Sequence, residues 1–269
     1  MFLLATDLDR TLLPNGKEPD GGCIKTLFDA LSERPYKLAY VTGRNFALAK
    51  DAADEFGIPI PDFLLAEVGT VIYKKDSEGL KLWTKWRNKI RENSQNWNYD
   101  KIAEKIMAEN LLSLQEDWKQ NEFKLSFYLK KTEERESVFL YIRNVLETEN
   151  IDAEVVWSTD PLQGGVGLVD ILPKTATKSS ALEFVRSHLK LEMSRVVYCG
   201  DSGNDILPLF SGYKGILVKN ASADAKKALG KIETKSREAA GVYFAKGDGN
   251  QNGNYACGIL EGLRFWNIL

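Results

Sequence analysis

The stretch FLLATDLDRT (2–11) sets four apolar residues, Phe2 to Ala5, just ahead of two aspartates, Asp7 and Asp9, one residue apart. An apolar run of that length bounded by polar residues predicts a strand buried on both faces. Two like charges at the end of a buried strand repel unless something compensates them, so this strand end is the candidate centre of the molecule.

Two further runs have the same form. KLAYVTGR (37–44) ends in Thr42, Gly43 and Arg44, and RVVYCGDSGND (195–205) ends in Asp201, Asn204 and Asp205. Helical patterns follow in FDAL (28–31) and NFALAKDAADEF (45–56). A helix over about 179–189, a strand at GILVKNA (215–221) and a closing helix in NYACGILEGLRFW (254–266) complete the series. Strands alternating with helices predict an α/β fold, a doubly wound, Rossmann-like parallel sheet covered on both faces. Ligands of such sheets bind beyond the carboxyl ends of the strands, where all three runs carry their polar residues.

The middle of the chain breaks this pattern. It reads as a helix in YDKIAEKIMAENLL (99–112), a strand in FKLSFYL (123–129), a helix in ERESVFLYIRNVLETE (134–149) and a strand in DAEVVWS (152–158). That order predicts an inserted α+β cap domain, residues 81–171, in a core domain formed by 1–80 and 172–269. Alternation in FKLSFYL puts Phe123, Leu125, Phe127 and Leu129 against the cap helices and Lys124, Ser126 and Tyr128 on the opposite face. Trp83, Trp86, Trp97, Trp118 and Trp157 fall in the insertion and are expected mainly as core.

Composition narrows the function. With 43% hydrophobic residues, 28% charged and a net charge of −2, the chain reads as an ordinary globular protein. No basic run exceeds two residues (Lys74 with Lys75, Lys130 with Lys131, Lys226 with Lys227), which argues against nucleic acid. The apolar stretch before Asp7 is too short for a signal-peptide core or a membrane span, so a cytoplasmic protein with no membrane partner is expected. A monomer is expected as well. Cys23, Cys199 and Cys257 are widely spaced without a CxxC pair, and are expected to be reduced core residues. His188, the single histidine, is expected at the surface and excludes a Ser-His-Asp hydrolase. DGNQNG (248–253) begins like an EF-hand but has Ile259 where the bidentate Glu belongs, so it reads as a turn-rich loop. GGVG (164–167) lacks the rest of a dinucleotide fingerprint, and there is no GxxxxGK[ST].

The strand ends carry a specific chemistry when taken together. Asp7, Asp9, Asp201 and Asp205, with Thr42 and Lys178, form a self-repelling edge that asks for a cation. Oxygen ligands without His or Cys favour Mg²⁺ over zinc. A metal, an in-line nucleophile and donors to the equatorial oxygens are the parts of phosphoryl transfer. One carboxylate can serve as the nucleophile, and a second can protonate the leaving oxygen and then activate water.

DLDRT (7–11), TGR (42–44), Lys178 and GDSGND (200–205), in this order, resemble the four motifs of haloacid dehalogenase-like phosphatases. The resemblance implies Asp7 as nucleophile, Asp9 as acid and base, and Thr42 and Lys178 as catalytic stabilisers of phosphate and charge. It implies Mg²⁺ held by the Asp7 carboxylate, the Asp9 carbonyl and Asp201, with Asp205 and Asn204 in that shell. Thr42, Gly43, Arg44, Lys178 and Asn204 would meet the substrate's phosphate end. Within that superfamily QNEFKLSFYL (120–129), VDILPKTATKSSAL (169–182) and VYFA with NYACGILEGL resemble the sucrose-phosphate phosphatase group, whose larger cap belongs to class II. This implies hydrolysis of a sugar phosphate, sucrose 6-phosphate first. Apart from the resemblance, Lys124 on the polar face of FKLSFYL is the candidate sugar contact if that face looks down on the core domain, and a solvated lysine on an open sheet if it does not. Alternatives are a related glycosyl-sugar phosphate such as mannosylfructose phosphate, a phosphomannomutase-like phosphotransferase, or a phosphorylation-switched receiver, which fits poorly because receivers lack a cap. The chain departs from the group's usual wording at Arg10 of DLDRT, and at Thr70 and Val71 of AEVGTVIY.

Overall fold

The apolar run at the N-terminus forms β1 (Phe2–Thr6), buried along its whole length. The computed structural model describes residues 1–160, 164–230, 241–249 and 251–269. Around β1 lie β2 (Tyr36–Val41), β3 (Phe63–Ala66), β10 (Val196–Gly200), β11 (Lys214–Leu217) and β12 (Val242–Phe244), all parallel. Two antiparallel strands, β4 (Val71–Asp76) and β5 (Gly79–Leu82), extend one edge, giving the order β12-β11-β10-β1-β2-β3-β4-β5.

Alternate residues of each strand feed two apolar layers. Phe2 and Leu4 of β1 join Val197 and Cys199 of β10 beneath α1 (Cys23–Ser32), α2 (Phe46–Phe56) and the C-terminal helix α9 (Tyr255–Phe265). Leu3 and Ala5 join Val196 and Tyr198 beneath α6 (Lys178–His188), α7 (Ile206–Leu209) and α8 (Ala223–Gly230). The result is the three-layer, doubly wound sheet that the sequence pattern predicts. Helix α3 (Thr84–Asn93) also covers this second face through Trp86 and Ile90, and Trp83 packs beside them. These two tryptophans, counted with the insertion in the sequence, therefore fill the parallel domain.

The second sheet is antiparallel, in the order β6-β7-β9-β8, from β6 (Ser113–Leu114), β7 (Leu125–Leu129), β8 (Ala153–Asp160) and β9 (Val166–Pro173). Leu125, Phe127 and Leu129 pack with Val169 and Ile171 against α4 (Tyr99–Met107) and α5 (Arg135–Thr148). Ser126 and Tyr128 point the other way, as period 2 requires. Phe123 precedes the paired stretch and joins the parallel domain's core instead of the cap's.

The expectation for the cysteines is also overturned. Cys23, the first residue of α1, and Cys257 in α9 are joined by a disulfide, with Cα atoms 5.1 Å apart across 234 residues of sequence. The physical reason is the layer arrangement: α1 and α9 pack side by side on one sheet face, so distance along the chain says nothing of distance in space. Cys199 is the free cysteine among the described residues, buried in β10. His188 is exposed, as expected, with Nε2 3.1 Å from Lys74 Nζ. Of the EF-hand-like stretch, Asn250 lies outside the described residues. No helix among the described residues is long and apolar enough to cross a membrane.

Candidate active site

β1 and β10 are neighbours, and from them the chain winds outward in opposite directions, to β2 and to β11. Such a reversal leaves a crevice at the carboxyl ends of the two strands. Asp7 and Asp201 flank it, one after each strand, and the Asp7 N–H donates to the Cys199 carbonyl at 3.0 Å. Beyond β10 the chain folds back tightly. A Cβ on Gly200 would lie 2.4 Å from the Asp205 Cβ, so only glycine lets Asp205 tuck under the turn. There its Oδ2 accepts from the backbone N–H groups of Asp201 at 3.0 Å and Ser202 at 3.1 Å.

Lys178 enters from the opposite helix. Thr177 caps α6 through a reciprocal bond with Ser180, which fixes the first turn and the origin of the Lys178 side chain. Its ammonium reaches Asp7 Oδ1 at 3.0 Å, Asp205 Oδ1 at 2.9 Å and Asn204 Oδ1 at 3.0 Å. Burial, the largest single influence, disfavours the Lys178 charge, but Asp205 and Asp7 outweigh it and hold the group protonated. Burial pushes the Asp7 carboxyl well above its ordinary range, Lys178 pulls it back, and Asp205, Asp201 and Asp9 push it up further. Burial and then Asp205 raise Asp201 to about 7, against the pull of Arg10, Lys178 and the Thr11 hydroxyl.

One lysine therefore does not neutralise this edge. Single carboxylate oxygens of Asp7, Asp201 and Asp205 lie within 4.8 Å of one another, all buried. An all-oxygen, under-neutralised cluster of this kind suits a hard divalent cation. Asp205 is the most heavily engaged member, since Tyr198 Oη also donates to its Oδ1 at 2.5 Å and Ser202 Oγ to its Oδ2 at 3.3 Å.

Asp9 lies beside this cluster and is more open. Arg44 grips it with Nε 2.9 Å from Oδ2 and Nη2 2.6 Å from Oδ1, while Asn15 Nδ2 donates to Oδ1 at 2.6 Å. Thr42 is buried, its hydroxyl accepting from the Arg44 N–H at 3.1 Å, and Gly43 is exposed at the mouth. Thr42 thus shapes the turn that aims Arg44 at Asp9.

Core and cap together enclose a cleft of about 580 Å³ over Asp7, Asp9, Asp201 and Asn204. Gln115, Trp118, Lys124, Trp157 and Asp170 line it from the cap. Lys124 is 5% exposed, and its ammonium meets no hydrogen-bonding partner among the described residues. Cap and core also meet at Thr70, where the chain leaves the group's usual wording. Asn121 donates there to Thr70 Oγ1 at 2.8 Å and to the Glu67 carboxylate.

Two contributors, Asn15 and Tyr198, are absent from the sequence reading, and a third, Arg10, stands in it only as a departure from the group's wording. Asn15 and Tyr198 touch the acids directly, and Arg10 places Nε 3.7 Å from Asp201 Oδ2. Arg10 also adopts φ 60°, held by its N–H on Asn15 Oδ1 at 2.8 Å and its carbonyl on Asn220 Nδ2 at 2.6 Å. A signal for Tyr198 was present: strand alternation places it on the α6 face, the side from which Lys178 comes.

A family model described as sucrose-6F-phosphate phosphohydrolase matches residues 1–267. A putative haloacid dehalogenase-like hydrolase of Nitrosococcus oceani is 37% identical, over 97% of this chain and 71% of its own length. Sucrose-phosphatase 1 of Nicotiana tabacum is 30% identical over 94% of this chain, which spans 60% of that protein. The sucrose-phosphatase of Synechocystis, solved in complex with sucrose and phosphate, superimposes with a TM-score of 0.82 at 27% identity, covering 99% of this chain and 98% of that one. The motif residues converge at one strand edge beneath a cap, and the match runs almost the whole length of the chain. On both grounds the protein belongs to the sucrose-6F-phosphate phosphohydrolase family of haloacid dehalogenase-like hydrolases, and is a phosphoric monoester hydrolase acting on sugar phosphates.

Proposed function

We propose that this chain is a Mg²⁺-dependent phosphatase that converts sucrose 6-phosphate to sucrose and phosphate through an aspartyl-phosphate on Asp7. The observation that carries the reading is the buried contact of Lys178 with Asp7, an acid that lines the cleft. The reading also has the enzyme act as a monomer in the cytoplasm, with a small sugar phosphate as its partner.

The donor set fits Mg²⁺. Asp7 and Asp201 would hold it with the Asp9 carbonyl, while Asp205, with five hydrogen bonds already made, anchors Lys178 and the Asp201 turn. When bound, Mg²⁺ neutralises phosphate oxygens and orients the phosphorus toward the nucleophile.

In the first step a carboxylate oxygen of Asp7 bonds to phosphorus while the bond from phosphorus to the sugar oxygen breaks. Asp9 gives its proton to that leaving oxygen. Asp9 Oδ2 is suited to carry the proton because it accepts from Arg44 alone, whereas Oδ1 accepts from both Arg44 and Asn15. In the second step Asp9 takes a proton from a water molecule, whose oxygen attacks phosphorus and frees Asp7. Lys178 offsets the charge on Asp7 and the phosphoryl oxygens throughout. Closure by the cap keeps water out of the first step.

A cleft of about 580 Å³ exceeds what a phosphate needs and leaves room for a sugar, whose hydroxyls the Lys124 ammonium, without a partner among the described residues, would meet. The test is phosphate release from sucrose 6-phosphate, mannosylfructose phosphate and glucose 6-phosphate, with Mg²⁺ and with EDTA. Sucrose 6-phosphate should give the highest kcat/KM, and EDTA should abolish release. A higher value for mannosylfructose phosphate would replace the substrate, isomerised sugar phosphate would indicate a phosphotransferase, and no release from any ester would overturn the reading.

A further inference from the structure

The Tyr198 hydroxyl is a fully buried polar group with no part in the steps above. Its ring packs in the apolar layer that includes Ala181, Leu182 and Val185 of α6. Val196, two residues earlier on the same strand face, meets the packing demand of that layer without a polar atom. Packing therefore does not explain the hydroxyl.

Its hydrogen bond is more informative. Tyr198 Oη lies 2.5 Å from Asp205 Oδ1, the same oxygen that accepts from Lys178 Nζ at 2.9 Å. A carboxylate oxygen accepts, so the phenol O–H is the donor in this bond. The Lys178 ammonium has three N–H bonds, and three acceptors surround it: Asp7 Oδ1 at 3.0 Å, Asn204 Oδ1 at 3.0 Å and Asp205 Oδ1 at 2.9 Å. Two donors sharing one carboxylate oxygen each bind it less strongly than one donor alone. How hard Asp205 pulls on Lys178 then depends on whether Tyr198 also occupies that oxygen.

We infer that Tyr198 is a positioning residue, whose hydroxyl engages Asp205 so that the Lys178 ammonium stays aimed at Asp7 instead of collapsing onto Asp205. The inference rests on the proposed roles of Asp7 and Lys178. Without the hydroxyl, Asp205 Oδ1 keeps only Lys178, the pair tightens, and charge is withdrawn from the side where the phosphoryl group arrives.

The test is the kinetics of Y198F, which keeps the ring, with p-nitrophenyl phosphate, a small ester that asks nothing of the sugar pocket. Circular dichroism and the Tm establish that the variant is folded at the assay temperature. The expected result is a kcat lower on the order of tenfold with KM within about twofold of wild type. A merely structural hydroxyl would lower the Tm and leave kcat unchanged. A kcat within about twofold of wild type, or a change confined to KM, would overturn the inference. D7N in the same assay separates the two claims. If wild type releases no phosphate, or D7N releases it as fast, the reading of the site fails and this inference with it. If only Y198F behaves like wild type, Tyr198 alone is misassigned.

Discussion

Lys178 Nζ stands 3.0 Å from Asp7 Oδ1, with the two side chains only 1% and 7% exposed. Removing one member of a buried ion pair leaves the other uncompensated, at a cost of about 3–5 kcal/mol. K178M should therefore lower the Tm clearly as well as abolish phosphate release. K178R should recover part of the stability but little activity, because a planar fork cannot meet the same three acceptors. Thermal denaturation and phosphate assays on both variants check this. A K178M protein with wild-type stability and rate would contradict it.

The Asp201 carboxyl, raised to about 7 by burial and by Asp205, ties stability to pH and to metal. In the unfolded chain an aspartate titrates near about 3.9. Between that value and about 7 the folded protein holds a proton that the unfolded chain has lost, so metal-free stability falls as pH rises through this window. Mg²⁺ binds the deprotonated acids, so its stabilisation should grow over the same range. Calorimetry with Mg²⁺ and with EDTA should give a wider Tm gap at about pH 7.5 than at about pH 5. An equal or narrower gap would contradict this assignment.

The Cys23–Cys257 bond secures the segment leading from the DLDRT motif into α1. Neighbouring contacts hold the same segment: Asn254 Nδ2 donates to the Pro19 carbonyl at 3.1 Å, and the Tyr255 hydroxyl to Glu18 Oε2 at 3.1 Å. Breaking the bond should cost about 2–4 kcal/mol and lower the Tm. Thiol titration of the denatured, unreduced protein should find one free cysteine, Cys199. Three free thiols, or a Tm indifferent to reductant, would contradict the bond and agree with a reducing compartment.

Lys124 should separate sugar recognition from chemistry. K124M is expected to raise KM for sucrose 6-phosphate on the order of tenfold, through loss of a charged hydrogen-bond donor. Its rate with p-nitrophenyl phosphate should be unchanged. Parallel losses on both esters would show that Lys124 supports the fold or the phosphate end instead.

Much of this architecture is legible in the sequence, for physical reasons that differ from place to place. β1, β2 and β10 are short apolar runs ending in polar residues, and a strand buried on both faces leaves few other readings. The alternation in FKLSFYL places Lys124 opposite Leu125 because side-chain direction has a period of two. Contacts between layers are another matter. Nothing in the spacing of Cys23 and Cys257 says that α1 and α9 are neighbours, and nothing near Trp86 says that it completes the parallel domain. Tyr198 reads as one more apolar strand residue until the return of the chain at Gly200 places the Asp205 carboxylate beside its hydroxyl. The acids could be gathered from the sequence, but how they divide the hydrogen bonds depends on angles that only the folded chain defines.

The central claim is that Asp7 carries the phosphoryl group. It is tested most directly by mixing enzyme, Mg²⁺ and sucrose 6-phosphate, quenching in acid within one turnover, and locating covalent phosphate by mass spectrometry. The account predicts one phosphoryl group on the peptide containing Asp7, formed as fast as sucrose is released and absent in D7N. Sucrose release with no phosphoryl-enzyme at any time, or a phosphoryl group on another residue, would contradict it.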